Sequence, residues 1–281
     1  MRERSRAAYD FIAEIYLRFG KDHGSFLAAT ISYYALFSIF PLLLVLISLA
    51  GYIFAKAETA AAVLEYTSRF LPQFSELISV NIEAVTASRS QVGVIAVVGL
   101  LWTGTAIFDA LEYALDTVWG EAENRLLWRA KLLGVATVVI LGAVLALLTL
   151  SAPLLEVVRQ FGKENALGRA IISGNDAYFW LINMAAMAFV FLLIYHIVPS
   201  RRPKIGQVWP GALAAAVIWE IARRFFAWYV RRIARFSAIY GSLGIVIGLL
   251  IWLYVLGMII VLGAEIAVVI DERRRKAKET G

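Results

Sequence analysis

The chain has 281 residues, is 61% hydrophobic and only 17% charged, and carries a formal net charge of +6. Soluble domains average about 25% charged residues, so a water-soluble globular protein is excluded. The absence of cysteine excludes disulfides, thiolate metal sites and cysteine nucleophiles. The basic balance points to anionic lipid rather than nucleic acid, since the chain holds no basic, aromatic-interleaved soluble module.

In chain order, the first feature is amphipathic. Ala8, Phe11, Ile12, Ile15 and Phe19 share one helical face, while Arg6, Asp10, Glu14 and Arg18 climb the other. The pattern fits a helix lying in the membrane surface or packed on the end of a helix bundle. It precedes six apolar stretches: Thr30 to Phe54, Val92 to Phe108, Leu132 to Leu155, Ala177 to Val198, Val208 to Val230 and Leu243 to Ile270. A hydrocarbon core of about 30 Å needs roughly 20 such residues at 1.5 Å rise. The first run is too long for the core of a signal peptide, about 7 to 15 residues, and reads as an uncleaved span.

The expected fold is therefore all-α: a polytopic membrane protein of six transmembrane helices, an N-terminal amphipathic helix and an extracytoplasmic helical hairpin. A single membrane domain covers 1–281. It comprises a cytoplasmic amphipathic segment 1–29, a bundle 30–270 and a basic cytoplasmic tail 271–281. The hairpin is the stretch Ala57 to Ser88, two short amphipathic helices broken at Pro72.

The few polar residues of the spans are the candidate functional groups, because intramembrane polar side chains avoid lipid. In span one, Tyr33 and Tyr34 are expected to turn into the bundle. Pro41 is expected to kink the same helix in mid-membrane by removing an i to i−4 bond. On the extension of span two, Asp109, Glu112 and Asp116 fall at i, i+3 and i+7. They read either as a cation or proton-transfer site or as a solvated face paired with Arg125, Arg129 or Lys204. His196, just before Pro199, reads as a hydrogen-bonded anchor.

Span five ends in Arg223, Arg224, Arg231, Arg232 and Arg235, with no lysine among them. Glu220, Arg223 and Arg224 share a helix face at i, i+3 and i+4. Counted from Val208, Arg223 lies about 22 Å along the helix, still in the outer hydrocarbon. Arginine's planar fork suits phosphate and carboxylate oxygens. These residues read as an anion-binding wall of an outward cavity, against the alternative of a structural ion pair with the other arginines reaching outer phosphates. In span six, Gly244 and Gly248 form a GxxxG for close helix packing. Glu265 of the same span reads as a carboxylate paired with Arg273, Arg274 or the fourth loop, or as a proton-coupling group.

More than half of the 27 Lys and Arg fall in residues 1–29, the second and fourth loops and the tail, so both termini are expected in the cytoplasm.

The runs "ISYYALFSIFPLLLVLISLAGYIF" (Ile31 to Phe54), "VPSRRPKIGQVWPGALAAAVIWE" (Val198 to Glu220) and "SAIYGSLGIVIGLLIWLYVLGMIIVLGAEI" (Ser237 to Ile266) resemble the YihY/virulence factor BrkB family. The resemblance runs from about residue 10 to residue 270. It implies a six-helix bacterial inner-membrane protein with both termini inside. Some members of that family carry a ribonuclease BN label, and others are linked to envelope resistance or to lipid and small-molecule export. The basic position after the helix-five glutamate maps to Arg223 or Arg224, and the family's "GAE" to Gly263, Ala264 and Glu265. The acidic stretch with Asp109, Glu112, Asp116 and Trp119 departs from the family pattern.

Ribonuclease chemistry finds no support in the residues. Metal-dependent phosphodiester hydrolysis needs clustered histidines and carboxylates. The chain has only His23 and His196, far apart. No Walker-type loop is present to bind ATP. No catalytic residue, metal or cofactor is expected. Two functions remain. One is a secondary transporter or flippase-like exporter of an anionic, amphipathic solute or lipid. The other is a non-transporting membrane scaffold or envelope assembly factor. The expected partners are membrane lipids and an anionic lipid or small-molecule solute.

Overall fold

The computed structural model describes residues 2–54, 98–99, 102–120, 176–232 and 243–279, which form helices joined by turns, with no strand among them. The helices are α1 (Arg2–Lys21), α2 (Gly24–Phe54), α3 (102–119), α4 (Asp176–Ile197), α5 (Ile205–Arg232) and α6 (Leu243–Glu279). By length and apolarity, three of them can cross a membrane: Gly24–Pro41, Ile205–Phe226 and Val246–Glu279. A shorter apolar helix runs from Asn183 to Ile197. The expected hairpin Ala57 to Ser88, the third apolar run and the basic residues Arg125, Arg129 and Lys131 lie outside the described residues. The chain falls into two compact units, residues 1–33 with 108–281, and residues 34–107.

In the first unit, α5 packs on both α4 and α6. Small residues make the α5–α6 seam. A β-carbon on Gly211 would run into the Gly263 carbonyl oxygen and Ala267, and one on Gly263 would run into the Tyr195 hydroxyl and Ala215. The Tyr195 hydroxyl of α4 donates to the Ile260 carbonyl of α6 at 2.9 Å. Gly257 admits α2 in the same way, since a β-carbon there would lie 2.6 Å from the Ala28 carbonyl oxygen. Small residues of this kind let helix backbones approach when no water is present to drive association. The close packing therefore uses Gly211, Gly257 and Gly263, whereas Gly248 of the GxxxG meets nothing within 4 Å.

A proline shapes the start of α5. Pro210 has no N–H for the carbonyl of Gly206, one turn back. Arg274 of α6 supplies the missing donor, with Nη1 3.2 Å from that oxygen. Its guanidinium also lies 5.6 Å from the centre of the Trp209 ring. Gln207 closes the same helix start. Its side-chain oxygen accepts from the Lys204 backbone N–H at 2.8 Å, and its amide donates to Asp271 at 2.8 Å.

α1 packs on the C-terminal turns of α6. Arg18 pairs with Glu272, and Arg273 pairs with Glu14 at 2.7 Å while lying 5.1 Å from the centre of the Phe11 ring. Tyr9, Ile12 and Tyr16, at i, i+3 and i+7, stay exposed on the other side of α1. Two residues beyond the end of α1, His23 has a left-handed φ of 52°, the conformation that stops a helix. The His23 carbonyl then accepts from Phe26 and Leu27 to start α2.

In the second unit, α2 stays helical on both sides of Pro41. Gly99 faces that ring, and a β-carbon there would lie 3.4 Å from it. The Ser38 hydroxyl donates back to the Ala35 carbonyl at 2.7 Å, and Thr103 donates to Gly99 at 3.0 Å.

Candidate functional site

Polar side chains gather in three places. The first is on α5, where helical spacing alone brings Glu220, Arg223 and Arg224 together. Arg223 places Nε and Nη2 on the two Glu220 oxygens at 3.0 and 2.9 Å, and Arg224 places Nε on one of them at 2.7 Å. The Glu220 side chain is 13% exposed, but those of Arg223 and Arg224 are 55% and 64% exposed. One carboxylate thus holds two guanidiniums by one edge each. One positive charge is left over, and the remaining N–H groups face outward.

The surroundings of this cluster are aromatic. Trp252 of α6 lies 5.0 Å from Trp219 and 4.7 Å from Phe226, and Phe225 lies 5.6 Å from Trp228. Below it, Trp209, Leu213, Val217, Ile221 and Phe225 form an exposed apolar strip along α5. Arg224 stands beside the end of that strip, about 28 Å from Ile205 along the helix. Aromatic rings next to basic residues at the end of an apolar strip are the composition of a membrane–water interface. The sequence offers two readings, an anion-binding wall or an ion pair with Glu220; the structure forms the ion pair and leaves both arginines exposed.

The second cluster joins α3 to the turn after α4. Asp116 accepts from the Ser200 backbone N–H at 2.8 Å and meets the Ser200 hydroxyl at 2.5 Å, while Glu112 lies 3.0 Å from the same hydroxyl. Asp116 and Ser200 are buried, Glu112 is half-buried and Asp109 is exposed. This use of the carboxylates clamps the proline-bounded turn 198–204. His196 contributes to the same clamp, with Nδ1 2.7 Å from the Pro203 carbonyl.

The third is Glu265, which is fully buried in α6. The partners expected from the sequence are engaged elsewhere, Arg273 with Glu14 and Arg274 with the Gly206 carbonyl and Trp209. Neither Glu265 oxygen meets a hydrogen-bond donor.

These clusters are separate. Gly211 faces Gly263 and Ala267, so Glu265 sits at the level of Gly211, and Glu220 lies about 13 Å further along α5. Tyr33 and Tyr34 are exposed, at 53% and 36%, rather than turned into the core. Pro41 lies in the second unit. Among the described residues, no group of three or more His, Cys, Asp or Glu is gathered to hold a metal ion. Sequence reasoning missed Ser200. It sits in a turn, where helical spacing carries no signal.

The comparison with known proteins agrees with a membrane protein. The chain is 27% identical over 279 residues to the ribonuclease-like protein YfkH of Bacillus subtilis, covering 96% of this chain and 98% of that one. It is 25% identical to a UPF0761 membrane protein of Aeromonas salmonicida, covering 96% and 91%. It is 26% identical to one of Cronobacter sakazakii, covering 93% and 88%. No solved structure matches it. The family model described as virulence factor BrkB matches residues 15–281, and a membrane protein of the virulence factor BrkB family is what this chain is.

Proposed function

We propose that the protein is a six-span protein of the bacterial inner membrane, with both termini in the cytoplasm, that acts as a secondary transporter or flippase-like exporter of an anionic, amphipathic solute or lipid. The observation that carries this reading is the Glu220–Arg223–Arg224 cluster. Two guanidiniums are oriented by one carboxylate, carry one positive charge in excess, and face outward within an aromatic belt. Such a cluster suits a phosphate or carboxylate oxygen. Its place at the end of an exposed apolar strip favours a ligand whose tail lies along the helix and whose charged head reaches the arginines. No enzymatic step is part of this reading.

The second reading is a non-transporting scaffold or envelope assembly factor. It is favoured by the tight α5–α6 seam at Gly211 and Gly263, which leaves no room there even for a methyl group.

Reconstitution into liposomes separates the two. Flux and lipid-translocation assays over anionic lipids and organic anions should detect movement with the wild type. The paired change Arg223→Ala, Arg224→Ala should reduce it at least tenfold. Wild-type liposomes no leakier than empty ones for any of these solutes would leave the scaffold reading.

A further inference from the structure

The seam between α1 and α6 contains a carboxylate that meets no hydrogen-bond donor among the described residues. The two arginines of the seam are each matched to an acid, Arg18 to Glu272 and Arg273 to Glu14. Glu265 is fully buried beside them with both oxygens unbonded. The charged groups acting on it are Asp22, whose carboxyl is within hydrogen-bonding range, then Arg18 and Glu272. Among the described residues, α2, α4 and the start of α5 add no charge here, and Glu112 and Asp116 of α3 are held at Ser200. α2 holds no charged residue from Gly24 to Phe54, and α5 holds none before Glu220. On α4, the Tyr195 hydroxyl is turned to the Ile260 carbonyl and His196 to the Pro203 carbonyl.

Two ionised carboxylates offer each other only acceptors, and they repel. A buried carboxylate that no donor bonds is costly to hold in a fold, and the nearby Arg18 is already matched to Glu272. One hydrogen between them removes both problems, turning a repulsive contact into a hydrogen bond. A bound metal would need more oxygens than these two side chains bring.

We propose that Glu265 is a proton-binding site: in the folded protein it carries a proton and donates it to Asp22, tying the elbow between α1 and α2 to α6. The elbow is built to hold Asp22 there. Its backbone N–H bonds to the Arg18 carbonyl at 2.8 Å, and the left-handed His23 that follows turns the chain directly into α2. The site does not depend on whether the protein moves a solute.

The sign of the effect follows from linkage. A proton held by the folded protein and released by the unfolded chain makes stability fall as pH rises. For one proton, the unfolding equilibrium constant climbs about tenfold per pH unit from the ordinary carboxylate range up to the pH at which the folded protein itself releases the proton, and is level beyond it. Glu265→Gln replaces the proton with a fixed N–H donor to Asp22, and Asp22→Asn leaves the Glu265 proton in place but turns its acceptor into an amide oxygen.

The test uses the full chain in lipid nanodiscs for spectroscopy and in mixed micelles for reversible unfolding. The wild type should show the infrared C=O stretch of a neutral, buried carboxyl at neutral pH, and Glu265→Gln should lack it. Glu265→Gln should also lose the one-proton pH slope while keeping its stability at high pH. Should that variant fail to fold, Asp22→Asn should shift the same band, because the acceptor becomes an amide. A wild-type spectrum without a neutral-carboxyl band at neutral pH overturns the proposal. So does a band that survives Glu265→Gln, or one that Asp22→Asn leaves unmoved.

Discussion

Gly211 of α5 lies against the carbonyl oxygen of Gly263 in α6, with no space for a β-carbon between them. Gly211→Ala and Gly263→Ala should therefore force the helices apart and destabilise the protein by about 1–3 kcal/mol, the usual cost of overpacking. Gly257→Ala should act similarly against the Ala28 backbone. Gly248→Ala meets open space, so it should be neutral or slightly stabilising through helix propensity. Thermal unfolding in detergent micelles ranks the four. A Gly211→Ala protein as stable as Gly248→Ala would contradict the seam.

Pro210 and Arg274 should be coupled. Arg274→Ala leaves the Gly206 carbonyl without its donor and should cost about 1 kcal/mol, a typical net hydrogen bond. Pro210→Ala restores a backbone N–H one turn away from that carbonyl. In the Pro210→Ala background, Arg274→Ala should lose most of its effect. A double-mutant cycle on unfolding free energies reads the coupling directly; additive effects would show that the proline does not call for the arginine.

Asp116 should matter more than Ser200. Asp116→Ala strands the buried Ser200 N–H and should cost about 1–3 kcal/mol. Ser200→Ala keeps that N–H bonded and should cost less. Limited proteolysis of the turn 198–204, alongside unfolding, reports whether the clamp is lost. Equal effects of the two substitutions would place the energy in the hydroxyl instead.

The orientation is directly measurable, because the chain has no native cysteine. A single cysteine at Lys278 should react with a membrane-impermeant maleimide only after the cells are opened. One at Ser237, after α5, should react in intact spheroplasts. The reverse pattern would invert the proposed topology.

What the residues revealed in advance follows a physical divide. Apolar length announced α2, α4, α5 and α6, and spacing of three and four announced the Glu220 cluster, since both signals are local. The ends of the helices were less legible. α2 begins before Thr30 because the left-handed His23, not hydropathy, sets its start. α6 continues past Ile270 because Asp271 pairs with Arg275 one turn on and because α1 ties down Glu272 and Arg273. The clamp of Asp116 on Ser200, 84 residues away, and the approach of Asp22 to Glu265 depend on tertiary packing, which no periodicity encodes. The exposed flank of Arg223 and Arg224 was hidden for the same reason: a shared helix face does not say which way that face turns.

α6 has 37 residues and no proline, so it runs about 54 Å as one rod, well beyond the roughly 30 Å of a hydrocarbon layer. Its C-terminal turns form a mast, gripped by α1 at Glu272 and Arg273. A rod without a hinge passes rotation along its whole length. Whatever tilts α1 at one end of the rod swings Trp252, about 30 Å away along it, together with the Trp219 and Phe226 rings packed against it.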